Sequence, residues 1–79
     1  MQILYLAASG SSEPTRASIP LHLAVNGSFE VGHTACVVLV GDAAELIKAA
    51  VRDGLEGTGV PPMRELFAKA RTHEVPIYV

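Results

Sequence analysis

Two unbroken apolar runs fix most of what this chain can become. Ile3-Leu4-Tyr5-Leu6-Ala7-Ala8 and Thr34-Ala35-Cys36-Val37-Val38-Leu39-Val40 are both of strand length, and neither alternates between apolar and polar residues. A strand with one wet face alternates. A strand covered on both faces reads as continuous hydrophobic sequence, which is the habit of parallel sheets. Parallel neighbours also need a crossover of a dozen or more residues, and residues 9–33 supply it. The two runs therefore predict an α/β chain built on a parallel sheet with helices against both faces.

The segments between the runs carry helical spacing. Ser9 to Thr15, SGSSEPT, reads as a polar turn, and from about Thr15 to Glu30 the residues Ala17, Leu21, Ala24 and Ser28 share one stripe. Pro20 interrupts that stripe. A proline is harmless only in a first turn, so the helix is expected either to start near Ser18 or to kink at Pro20. Asn26-Gly27 and Gly32 are stop signals. After the second run, Asp42-Ala43-Ala44-Glu45 matches a capping box, with Asp42 at the N-cap and Glu45 at N3. A second helix carrying Ala43, Leu46, Ile47, Ala50, Val51 and Leu55 is expected to follow, broken by Gly54, Gly57 and Gly59. Val60-Pro61-Pro62 opens a third helix, in which Met63, Leu66, Phe67 and Ala70 recur at i, i+3, i+4, i+7. The last strand is Val75-Pro76-Ile77-Tyr78-Val79. The predicted order is β-α-β-α-α-β, a three-layer sandwich about a parallel sheet.

Size and charge narrow the function classes. Seventy-nine residues make a single domain, 1–79. A chain this short buries only about 60–65% of the surface that its unfolded form exposes. Yet 49% of its residues are hydrophobic and 18% charged, an apolar balance for so much surface. The surplus points to hydrophobic area meant for further chain or for a partner. A net charge of −2 with no basic cluster argues against nucleic acid. The apolar runs are too short to span a bilayer, and Met1-Gln2-Ile3 lacks the basic region of a secretory signal, so a cytoplasmic location without membrane contact is expected. Cys36 is the only cysteine, so no internal disulfide forms. Within TACVVLV it reads as a small core hydrophobe rather than a reactive thiol. His22, His33 and His73 have no metal-ligand spacing, and no metal or cofactor is expected.

In open α/β sheets, ligands bind beyond the carboxyl ends of the strands. Two turns reach that edge, and each leads into a helix N-terminus, where free N–H groups and the helix dipole favour an anion. The candidate pocket comprises Ser9, Gly10, Ser11, Gly41 and Asp42, with Thr15 and Arg16 contributing from the first helix. The same Gly, Ser and Asp residues are what any βα turn needs for geometry and capping. SGSSEPT is also similar to the phosphate loop of flavodoxins. However, the chain has no Trp, and Tyr5 and Tyr78 both lie inside predicted strands, so aromatic stacking on a flavin is not expected.

MQILYLAAS, PTRASIPLHLAVNGSFEVGH, VVLVGDAAELI and GVPPMRELFAKARTHEVPIYV, in that order and spacing, resemble the DsrE/DsrF-like family, small α/β proteins of sulfur-relay type. The resemblance runs along nearly the whole chain. It implies a parallel-sheet domain that assembles as a trimer or hexamer and exchanges sulfur with a donor or acceptor protein. It also implies a persulfide-carrying cysteine directly after the strand matching VPIYV. That position would follow Val79, and Cys36 does not match it. The expectation is thus a catalytically incomplete DsrE-like domain, whose last strand lies mid-sheet beside a vacant pocket and whose final part is missing. A stop codon read elsewhere as selenocysteine would account for such an end. The alternative is a non-enzymatic oligomeric interaction module or a small-anion-binding module.

Overall fold

A computed structural model describes all 79 residues. Strand β1 (Gln2–Ala7) leads into helix α1 (Pro14–His22), which continues as a π-helical turn, Leu23–Gly27, and a last turn, α2 (Ser28–Glu30). Strand β2 (Thr34–Leu39) follows, then a 3-10 segment, Gly41–Ile47, and a single turn, α3 (Ala49–Arg52). Helix α4 (Met63–Thr72) and strand β3 (Ile77–Tyr78) complete the chain. No helix is long and apolar enough to cross a membrane.

The first helix does not start near Ser18. It starts at Pro14, where a proline loses no hydrogen bond, and it runs through Pro20. Just beyond, the ladder widens to π type, the kind of insertion that absorbs a break in the i→i−4 series. The second helix is also not the continuous one expected. The capping box does not form: Val40 takes the N-cap position, no side chain caps the segment, and the backbone stays 3-10 to Ile47. Glu45, the residue meant to close that box, turns across to the loop after β1 instead.

All three strands are parallel, in the order β1-β2-β3. Leu4 pairs with Cys36, Leu6 with Val38, and Val38 in turn with Tyr78. The order advances in one direction only, and right-handed crossovers that advance one way lay their helices on one face. The buried residues follow this rule. Ala7, Val37 and Leu39 from the strands pack with Ala17, Leu21, Ala24 and Val25 of the first helix. Ala43, Leu46 and Leu55, with Met63, Leu66 and Ala70 of α4, complete the cluster. Tyr5 is half-buried on the same side, and its hydroxyl shares a 2.7 Å hydrogen bond with that of buried Ser28.

The strands are not covered on both faces, because these 79 residues place a helical layer on one side only. On the other side Leu4 is 61% exposed, Leu6 62% and Tyr78 56%. The molecule is a mixed α/β fold on a small parallel sheet, with one bare face. The last strand is also not mid-sheet. It pairs with β2 alone and forms an edge, with Val79 exposed beyond it.

Candidate functional site

The carboxyl edge of the sheet gathers part of the predicted anion pocket and sets a carboxylate of the chain against it. Ser9 and Gly10 leave β1, and Gly41, in the left-handed region at φ +55°, leaves β2. Gly10 is buried against the second loop so tightly that a β-carbon there would collide with the Asp42 carbonyl oxygen and with Glu45 Oε1. Only glycine allows this approach. The Ser11 backbone N–H, one of the free donors ahead of α1, donates to Glu45 Oε1. Hydrogen bonding from the Ser11 side chain and then from its backbone holds the Glu45 carboxyl below its ordinary pKa, and Lys48 adds to this against a small desolvation cost. The protein's own carboxylate therefore stands where an anionic ligand was expected.

The other candidates are spread apart. Thr15 faces away from this pair of loops: its hydroxyl accepts a 2.8 Å hydrogen bond from the Thr58 N–H, and its backbone touches Gly57. Arg16 is exposed and bridges Glu13 at 3.1 Å. Asp42 is exposed and caps nothing.

No family model, curated protein or solved structure matches the chain. The likeness to sulfur-relay proteins thus rests on the sequence pattern alone.

A cleft of about 650 Å³ lies at the opposite end, around the amino ends of the strands. Phe29 and His73 form one wall, their rings stacked 3.7 Å apart between centroids. His73 Nδ1 donates at 3.1 Å to the carbonyl oxygen of Val25, a residue of the π-helical turn. His33, Cys36, Glu74 and Tyr78 also line the cleft. Glu74 is the only non-glycine residue at positive φ, 56°, and ends α4 where a glycine would be unstrained. No three His, Cys, Asp or Glu side chains come together as metal ligands. Cys36 is not the core residue its sequence context suggested. It is half-buried and, by the alternation of β2, stands on the bare side of the sheet beside Leu4.

Sequence reasoning missed this bare face. Its signal was present in the composition, as an apolar surplus too large for the covered core, but the location was not.

Proposed function

We propose that the chain is a non-enzymatic assembly module whose working surface is the uncovered face of its sheet. The observation that carries this reading is one apolar array on the uncovered face of the parallel sheet. Leu4 and Leu6 of β1 and Tyr78 of β3 are more than half exposed, and Cys36 and Val38 of β2 stand half-buried between them. Contiguous exposed apolar area of this kind marks an interaction site more often than a tolerated surface. The carboxyl edge supports the same direction, because one of the backbone donors expected for an anion, the Ser11 N–H, is already engaged by Glu45.

Sulfur handling, the reading implied by the DsrE-like resemblance, is the second proposal. It applies to the kind of domain rather than to a residue of this chain. The one thiol, Cys36, lies within β2 and not beyond a strand's carboxyl end, so it lacks the helix-N-terminal setting that activates such groups. Incubation with a persulfide donor is expected to leave the chain unlabelled, and labelling that follows Cys36 would restore this reading.

The assembly reading is tested by sedimentation of the wild type against Val38→Lys, which puts a charge at the centre of the bare face. The wild type is expected to self-associate or to bind an exposed-hydrophobe dye strongly, and the variant is expected to lose the dye binding and the part of the assembly that forms through this face. A wild type that is monomeric and dye-silent at tens of micromolar would sink it.

A further inference from the structure

We infer that a second copy of this chain docks along the free edge of β1, in antiparallel register about a two-fold axis at Leu4. This inference names a partner and rests on the assembly reading above.

Backbone parity gives the geometry. The carbonyls of Met1 and Ala7 accept from the N–H groups of Thr34 and Val40, so the odd-numbered residues of β1 point their backbone groups at β2. Gln2, Leu4 and Leu6 therefore point theirs away from the sheet, where no group of the chain meets them. An unpaired strand edge of this kind is a template for another strand, and natural proteins blunt such edges with charge, proline, bulges or brevity. The two edges of this sheet differ sharply in that respect. The β3 edge is two residues long and preceded by Pro76 and Glu74. The β1 edge is six residues long, contains no proline, and has no charged side chain anywhere before Glu13.

Self-pairing is the occupant that this edge fits. With Leu4 opposite its own copy, Gln2 faces Leu6 of the second chain and Leu6 faces its Gln2. All three are hydrogen-bonded pairs, each exchanging two N–H···O bonds. On the helical side Ile3 stands opposite Tyr5. No charge meets a like charge, and no donor of the strand is left over within the register. The two-fold axis is perpendicular to the sheet, so both bare faces lie on the same side and merge into one broader apolar surface. Such isologous pairing is the commonest symmetry of small oligomers, and strand addition at a sheet edge is an established docking mode.

The test uses two charge substitutions and one crosslink. Val38→Lys is expected to disable assembly through the bare face and leave a dimer. Tyr78→Lys, at a more exposed position, repeats the experiment if Val38→Lys misfolds. Adding Leu4→Lys to either places two like charges directly opposite each other at the axis, at an already exposed site, and weakens the dimer by about tenfold or more. Antiparallel hydrogen-bonded partners lie about 5.5 Å apart at Cα, within disulfide range. Leu4→Cys in a Cys36→Ser background is therefore expected to crosslink to a dimer under mild oxidation, while Tyr78→Cys in the same background is not. A monomeric Val38→Lys with an associating wild type would overturn the edge pairing and keep the assembly reading. A dimer indifferent to Leu4→Lys, or uncrosslinked through Leu4→Cys, would also overturn it. A monomeric wild type would overturn the edge pairing, and one that is also dye-silent would overturn both.

Discussion

The two faces of the sheet are cut from the same strands and nearly the same residue types, yet they have opposite fates. On the helical side Leu39 is 1% exposed, and Ala7 and Val37 are fully enclosed. On the other side Leu4 and Leu6 are more than half exposed. Hydrophobicity does not distinguish the two sides; connectivity does. Three strands laid down in one direction send both crossovers over one face, and burying the other face requires either a reversal of direction or another molecule. An unbroken apolar strand is thus a statement about what both faces want, and topology decides which of them is satisfied within the chain.

The comparison is broken most directly by the same substitution on each face. Leu39→Ala empties a fully packed site and is expected to cost about 2–5 kcal/mol, which for a domain this small removes most of its stability. Leu6→Ala, one strand away on the bare side, is expected to change monomer stability by no more than about 0.5 kcal/mol. Urea denaturation of dilute protein compares them. Equal losses would mean that Leu6 is also packed, and the two-face description would fail.

Close approach of the two carboxyl-edge loops is the next largest effect. Gly10→Ala drives a methyl group into the Asp42 carbonyl and the Glu45 carboxylate, and overpacking of this kind costs about 1–3 kcal/mol. An unchanged denaturation midpoint would show the loops to be further apart than described.

Which parts of this were legible in the sequence follows from the physics of each part. The strands were legible because β-branched and aliphatic runs bounded by glycine are a local signal, and α4 because Met63, Leu66 and Ala70 form a stripe that is indeed buried. Glu45 was read as a local cap because Asp42 and Glu45 have the right spacing. Its actual partner, Ser11, is 34 residues away, and nothing local encodes that contact. Pro20 was read as marking a helix start near Ser18 or a kink, because an interior proline is costly in isolation. Packing of Ala17, Leu21 and Ala24 against the sheet overrides that cost. The position of β3 depended on sheet order, which three strands and their spacing leave open. At the candidate site, the pairing of Gly10 with the Gly41–Asp42 turn was legible, whereas the turning away of Thr15 and Arg16 toward Thr58 and Glu13 was not.

Tyr5 sharpens the covered face. Its hydroxyl reaches the buried Ser28 at the end of the first helix, so Tyr5→Phe leaves that serine without its partner. A loss of about 1 kcal/mol is expected, with the ring still packed. A double substitution with Ser28→Ala should recover part of it, and a Tyr5→Phe protein as stable as wild type would mean that water replaces the bond.

The smallest effect is the acid response of the carboxyl edge, which separates it from the bare face by chemistry rather than by packing. Glu45 is held below its ordinary pKa by Ser11, with Lys48 adding to the effect. A depressed carboxylate contributes its stabilisation above its unfolded value, and that contribution is lost as pH falls through the folded one. The Ser11 amide resonance should therefore stay constant at neutral pH and shift on the acid side, below the range where a free glutamate titrates. In Glu45→Gln that shift should vanish, while the resonances of Leu6 and Val38 on the bare face stay indifferent to the change. Because Glu45 is solvent-exposed, the effect on the denaturation midpoint is expected to be slight, and the amide shift is the decisive readout. A Ser11 amide that titrates identically in wild type and Glu45→Gln would mean that the carboxylate does not occupy that donor. The carboxyl edge would then be open to an external anion after all.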